Sequence, residues 1–169
     1  KDRIFAVKIS YQEVKNEWRR YLAPNALRQI ADHYGIFTDL YKYGYFNPVV
    51  PLDIYYDYDG EHFTPVNCGN IILPSEAGKM PVVHFESDPE ALWTLVLTSL
   101  DGHLLDHEME YLHWFVGNIK GGVMANADVI CSYLQPFLPK GTGYHRYVFV
   151  LYKQEGHLDY SEIRLSANW

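Results

Sequence analysis

Asp101, His113 and His145 could share acid–base work if the fold brought them together, since a carboxylate beside imidazoles can hold and pass a proton. A denser polar grouping lies just after the first of them. His103 and His107 are four residues apart, with Asp106, Glu108 and Glu110 close by. On a helix that spacing would place both imidazoles on one face, ready for a metal. Gly102 at the start of the segment and the strands expected on either side favour a solvated polar loop instead, so no metal is expected. Cys131 and His145 would make a nucleophile and its base only if folding joined them. Neither cysteine has an adjoining histidine or basic motif, and there is no Gly-x-Ser-x-Gly elbow or phosphate-cradling glycine loop. The expected function is therefore not enzymatic, and no cofactor is implied.

The elements that would position these residues fall into two parts. Ser10 and Glu13 form a capping box, and Val14, Trp18, Tyr21 and Leu22 follow on one helical face. Pro24 should close that helix, and Leu27, Ile30, Ala31 and Tyr34 make the stripe of a second that stops at Gly35. The spacing predicts helices over 10–23 and 25–34 within a helical extension, 1–46. Arg19, Arg20 and Arg28 form its basic cluster, a candidate partner or RNA contact, and Tyr41 and Tyr43 mark a loop suited to partner contact. From 47 to 169 the texture is β: short β-branched and aromatic runs predict strands at 52–57, 62–66, 82–86, 93–98, 112–117 and 144–152, with Asp59-Gly60 as a hairpin turn. The expected fold is mainly β, a β-sandwich carrying the N-terminal helical extension.

Composition limits the partners. With 14 Lys+Arg against 21 Asp+Glu, the 169-residue chain carries a formal charge of -7, which argues against a broad footprint on nucleic acid. At 48 % hydrophobic it can fill a core, and disorder is excluded. The longest uncharged apolar runs, 91–100 and 147–152, are too short to cross a bilayer as helices. Two cysteines are too few for a disulfide scaffold, so Cys68 and Cys131 are expected as reduced thiols. The chain opens on Lys1, which suggests a processed or partial chain.

Four segments in order carry a resemblance. They are Cys68-Gly69-Asn70 with Leu73-Pro74 and Pro81-Val82-Val83; the strand Trp93 to Asp101; Leu112-His113-Trp114-Phe115-Val116-Gly117-Asn118; and Pro139-Lys140-Gly141-Thr142-Gly143-Tyr144-His145-Arg146. This set resembles the phosphatidylethanolamine-binding protein family. The resemblance implies a small anion pocket at the end of a sheet, with His113 and His145 as its histidines and Asp101 as the second aspartate of its loop. Ser99 stands where the first aspartate would be, Leu100 and His103 replace two prolines, and Gln135 and Phe137 stand where glycine is usual. A filled or altered pocket is expected, because overpacking leaves no room for a ligand.

The runs 27–36, 95–105 and 110–114 closely resemble a branch of that family found in the mitochondrial large ribosomal subunit. That resemblance implies a structural constituent of the subunit in the matrix, near the central protuberance, touching ribosomal proteins and some ribosomal RNA, with no membrane contact. The alternative is a free-standing anion or phospholipid headgroup-binding module with a regulatory role.

Overall fold

The computed structural model describes residues 10, 13–14, 17, 23–102, 109–139 and 141–163. The chain divides into two compact units, Lys1–Pro51 and Leu52–Trp169, so the division falls five residues after the expected boundary at 46.

In the first unit the capping box forms: the Ser10 amide donates to Glu13 Oε2 at 2.9 Å, and the Glu13 amide to Ser10 Oγ at 3.1 Å. The body of the expected first helix lies outside the described residues, Arg19 and Arg20 included. Helix α1, Ala23–His33, begins two residues earlier than the stripe suggested. Pro24 sits in its first turn, where the missing N–H would have had no helical acceptor. Gly35 takes the left-handed conformation expected of a stop, at φ 70°, but a second helix, α2 (Ile36–Tyr41), starts directly after it. Sequence reasoning gave no sign of α2, which is only six residues long. Phe37 of α2 is buried, and its ring meets those of Tyr41, Tyr45 and Phe46.

The second unit holds two antiparallel sheets. The three-stranded sheet is β1 (Asp53–Asp57), β2 (Phe63–Pro65) and β3 (Val82–His84), with β1 in the middle. Asp59-Gly60 makes the turn between β1 and β2: Gly60 has φ 86°, and its amide donates to Asp57 Oδ1 at 2.6 Å. The four-stranded sheet has the order β6-β5-β4-β7, from β4 (Leu92–Ser99), β5 (Tyr111–Lys120), β6 (Asp128–Cys131) and β7 (Tyr147–Gln154).

β4 is buried on both faces, since Trp93, Thr94, Leu95, Leu97, Thr98 and Ser99 are all covered. An apolar strand without clean alternation is what such a position demands. With Trp114, Val116 and Ile119 of β5 it makes the core, each large side chain contributing about 2 kcal/mol through the water it sheds. The Phe85 ring, just beyond β3, stands edge-on to Trp93 at 5.7 Å.

Two irregularities in the β4–β5 ladder matter most. Trp93 pairs with Ile119 and Leu95 with Val116, so Gly117 and Asn118 together oppose Thr94 alone. Leu97 pairs with Trp114 and Thr98 with Leu112, which leaves His113 as an extra residue. Both are bulges, and a bulge re-aims the side chains around it.

At the first bulge Asn118 adopts φ 52° and faces inward. Its amide accepts from Gln154 Nε2 and the Leu158 amide, and donates to Asp128 Oδ2 and the Leu158 carbonyl, all between 2.7 and 3.0 Å. Gln154 Oε1 accepts from the Asn118 amide and from Thr94 Oγ1, which in turn lies 3.0 Å from the Tyr160 hydroxyl. The segment after β7 is thereby fastened to the sheet. Glycine is needed at 117, because a Cβ there would lie 2.2 Å from the Tyr160 ring.

Candidate functional site

The second bulge sits at the other end of β4 and carries the candidate site. As the extra residue there, His113 turns a fully buried imidazole into the space beside the first residues of β7. Its Nδ1 donates to the Leu134 carbonyl at 3.0 Å, while the Leu134 amide donates to the His113 carbonyl at 2.7 Å. That pairing fixes the tautomer and leaves Nε2 as a bare acceptor. Nε2 is buried and finds no partner among the described residues. Three rings close around the imidazole: Tyr147 at 5.0 Å, Tyr111 at 5.2 Å and Phe137 at 5.5 Å. The Tyr147 hydroxyl donates to the Phe137 carbonyl at 2.8 Å and so pins the loop that carries the Phe137 ring.

Ser99 ends β4 opposite Tyr111 on one side and Tyr147 on the other. Its side chain is fully buried, and its hydroxyl meets no hydrogen-bond geometry with the described residues. Backbone lies directly over it, because a Cβ on Gly102 would meet Ser99 Oγ at 2.7 Å. Glycine at 102 is thus a packing requirement, and a carboxylate in place of Ser99 would have to displace the 100–102 turn.

Asp101 is engaged by its neighbour across the sheet end. Arg146 donates to it from the backbone amide at 2.8 Å, from Nε at 3.0 Å and from Nη2 at 2.6 Å, a two-pronged charge-assisted grip. The guanidinium holds the Asp101 carboxyl below the usual carboxylate range. The Leu100 amide also donates to the Arg146 carbonyl, so the turn and the approach to β7 are tied at two points. β7 begins at Tyr147 and not at the expected 144, because Arg146 is taken up by the turn.

His145 is half-buried, and its Nδ1 is a third covered polar atom without a partner among the described residues. The structure therefore places Asp101 on Arg146, next in the chain to His145, and places His113 within an aromatic cage. Phe137, flagged by the sequence as an added side chain, packs against the imidazole. Gln135, flagged with it, turns instead to the Pro74 carbonyl, to which its Nε2 donates at 2.7 Å.

The metal reading of His103 and His107 lies outside the described residues. Among the described residues no group of three or more histidine, cysteine or carboxylate side chains is arranged to hold a metal. Burial pushes the Cys131 thiol up, away from the thiolate a nucleophile needs. In the first unit Tyr41 packs against Phe46, whereas Tyr43 is 66 % exposed and sits at φ 69° directly after Lys42 at φ 47°. Arg28 is exposed yet occupied: Nη1 donates to Asn47 Oδ1 at 3.3 Å and the guanidinium lies over the Tyr45 ring.

The cage has a pH signature. Burial pushes the His113 imidazole below its ordinary value, with the Leu134 carbonyl opposing more weakly. An imidazole that prefers to stay neutral in the folded chain gives stability that is complete above its unfolded value of about 6.5 and is lost as pH falls from there through the folded value. The urea midpoint should drop between pH 7.5 and pH 5.5, and the drop should shrink in His113→Phe. An equal drop in both proteins would assign the acid sensitivity elsewhere.

Comparison with known proteins bears on this arrangement. Residues 59–168 match the family model described as phosphatidylethanolamine-binding protein. A 26 kDa secreted antigen of Toxocara canis is 35 % identical over 92 residues, 53 % of this chain and 35 % of its own length. A putative odorant-binding protein A5 of Drosophila melanogaster is 29 % identical over 102 residues, 59 % of this chain and 49 % of its own. The chain thus spans about a third to a half of the length of these curated relatives. A carboxypeptidase Y inhibitor, solved in complex with its cognate proteinase, superposes with a TM-score of 0.71 at 26 % identity, over 87 % of this chain and 79 % of its own.

Proposed function

Because the chain belongs to the phosphatidylethanolamine-binding protein family, we propose that it uses the family's sandwich as a structural and interaction module of the mitochondrial large ribosomal subunit. In that role it contacts ribosomal proteins, and some ribosomal RNA, near the central protuberance. The observation that carries the non-ligand role is the closure of the site by the chain's own side chains. Phe137 lies against His113, Asp101 is taken up by Arg146, and the 102 backbone covers Ser99. The ribosomal assignment is supported by the runs 27–36, 95–105 and 110–114 and by the N-terminal helices.

Among the described residues expected to meet a partner in the first unit, Tyr43 is well exposed, on a left-handed backbone that a tyrosine adopts at a cost. Arg28 is held by Asn47 and Tyr45, so its contribution is to shape that loop.

A second reading has its own support. Ser99 Oγ, His113 Nε2 and His145 Nδ1 are three buried polar atoms without partners among the described residues, which water, or a headgroup that brings a donor to Nε2, could satisfy.

Gradient sedimentation of mitochondrial lysate tests the first reading. The chain should co-migrate with large-subunit ribosomal RNA and leave that fraction when magnesium is chelated, and Tyr43→Ser should weaken the co-migration without lowering the thermal midpoint. Migration throughout as a free protein, apart from that RNA, would sink it.

A further inference from the structure

The three-stranded sheet covers one face and leaves the other open. Ile54 and Tyr56 of β1 and Val83 of β3 are buried. Alternation sends their neighbours the opposite way: Tyr55 from β1, Phe63 and Pro65 from β2, and Val82 from β3. The register gathers these four into one group, with Tyr55 directly opposite Pro65 on one side and Val82 on the other. The Phe63 ring stands edge-on to Tyr55 at 5.6 Å. Phe63 is 57 % exposed and Val82 44 %, so the group is an apolar patch in contact with water.

Its surroundings are acidic. Asp53 and Asp57 lie on the same face of β1, one at each end of the patch, with His84 opposite Asp53, and the β1–β2 turn beyond Asp57 adds Asp59 and Glu61. Asp59 accepts from the Glu61 and His62 amides and from the His62 ring, which holds its carboxyl down to about 2. Asp59 is therefore ionised throughout the physiological range, and it shares its charge with the His62 ring.

We propose that this face is a docking site for a partner protein that presents an apolar side chain flanked by Lys or Arg. Charge chooses among the occupants. RNA would bring phosphates against the carboxylates, and a second copy of this chain, itself at net charge -7, would bring the same carboxylates against themselves. Contact is through the face and not through strand addition, because β2 and β3, the two edges, are three residues each and too short to template another strand. The proposal does not rest on the ribosomal reading, since it specifies the chemistry of the partner and not the assembly.

The test places the photo-crosslinking residue p-benzoyl-phenylalanine at position 63 of the full chain, in its native cells. Irradiation should give a discrete adduct with one other protein, mapping to a peptide in which an apolar residue lies within a few positions of Lys or Arg. A synthetic copy of that peptide should then bind the purified chain, lose about tenfold in affinity to Phe63→Ser, and weaken as salt rises. Ile71→Ser, at an exposed apolar residue outside these strands, should leave the affinity unchanged. Adducts with RNA, with lipid or with a second copy, or the absence of any adduct, would overturn the proposal. If Phe63→Ser disturbs the fold by circular dichroism, Val82→Thr serves in its place.

Discussion

Asn118→Ala is expected to lower the stability of the chain by about 3–5 kcal/mol, at the upper end for a single substitution. The Asn118 amide has two donors and two acceptor sites, and all four are used, on Asp128, Gln154 and both backbone groups of Leu158. Removing it leaves a backbone N–H, a backbone carbonyl and a glutamine amide short of partners in a part-buried place, and each group left unsatisfied costs up to about 1–3 kcal/mol. The left-handed backbone at φ 52° adds a further penalty of about 1 kcal/mol for alanine.

Two controls separate these contributions. Asn118→Gly should recover the backbone share alone. Asn118→Asp keeps the acceptor but sets a second carboxylate against Asp128, whose Oδ2 now lies 2.7 Å from the Asn118 nitrogen, so it should be at least as damaging as alanine. In a thermal melt, alanine should lower the midpoint by roughly 10 °C for a chain of this size. A loss under about 1 kcal/mol would mean that water replaces the amide freely, and that the segment from Gly156 to Tyr160 is not held by it.

The same residue shows what could be read ahead of the structure. Asn118 was legible as part of a family-like strand, but its role was not, because its partners lie 10, 36 and 40 residues away. Strands with strong alternation or β-branched runs, such as β1, β4 and β5, declared themselves locally. β6 did not: Gly121-Gly122 signals a turn ahead of it, but the four residues are too short a run to declare a strand, and they form one because β5 offers an edge. Bulges were equally invisible, since an extra residue is defined only against a partner strand.

That limit matters most at His113, whose direction into the cage follows from the bulge and not from its neighbours in sequence. The Arg146 grip on Asp101 spans 45 residues and could not be inferred from either side. Phe137 was the exception, because a ring in place of an expected glycine is a local fact with a steric consequence. Gln135 shows the weakness of that argument, since a flexible amide can turn aside to Pro74 where a ring cannot.

Phe137→Ala is accordingly the substitution that should change what the chain can bind. The ring is half-buried and packs at 5.5 Å from both Tyr111 and His113. Its removal should cost about 2 kcal/mol, below the range for a fully buried phenylalanine. The loop itself should stay in place, since the Tyr147 hydroxyl is bonded to the Phe137 carbonyl, which alanine retains.

Calorimetric titration with phosphoethanolamine reads the consequence. The natural chain should show no saturable binding up to millimolar ligand, and Phe137→Ala should gain at least about tenfold in affinity, a shift of about 1.4 kcal/mol, through access to the buried imidazole. The gain should be lost again in Phe137→Ala combined with His113→Phe, because the newly reached acceptor and ring would be gone. Saturable micromolar binding by the natural chain would instead favour the headgroup-binding module, with Ser99, His113 and His145 as its ligand groups. Absence of binding by both would move the cause of closure from the ring to the Gly102 backbone over Ser99 and the Asp101–Arg146 grip. Asp101→Ala, which releases that grip, is then the variant expected to open the site.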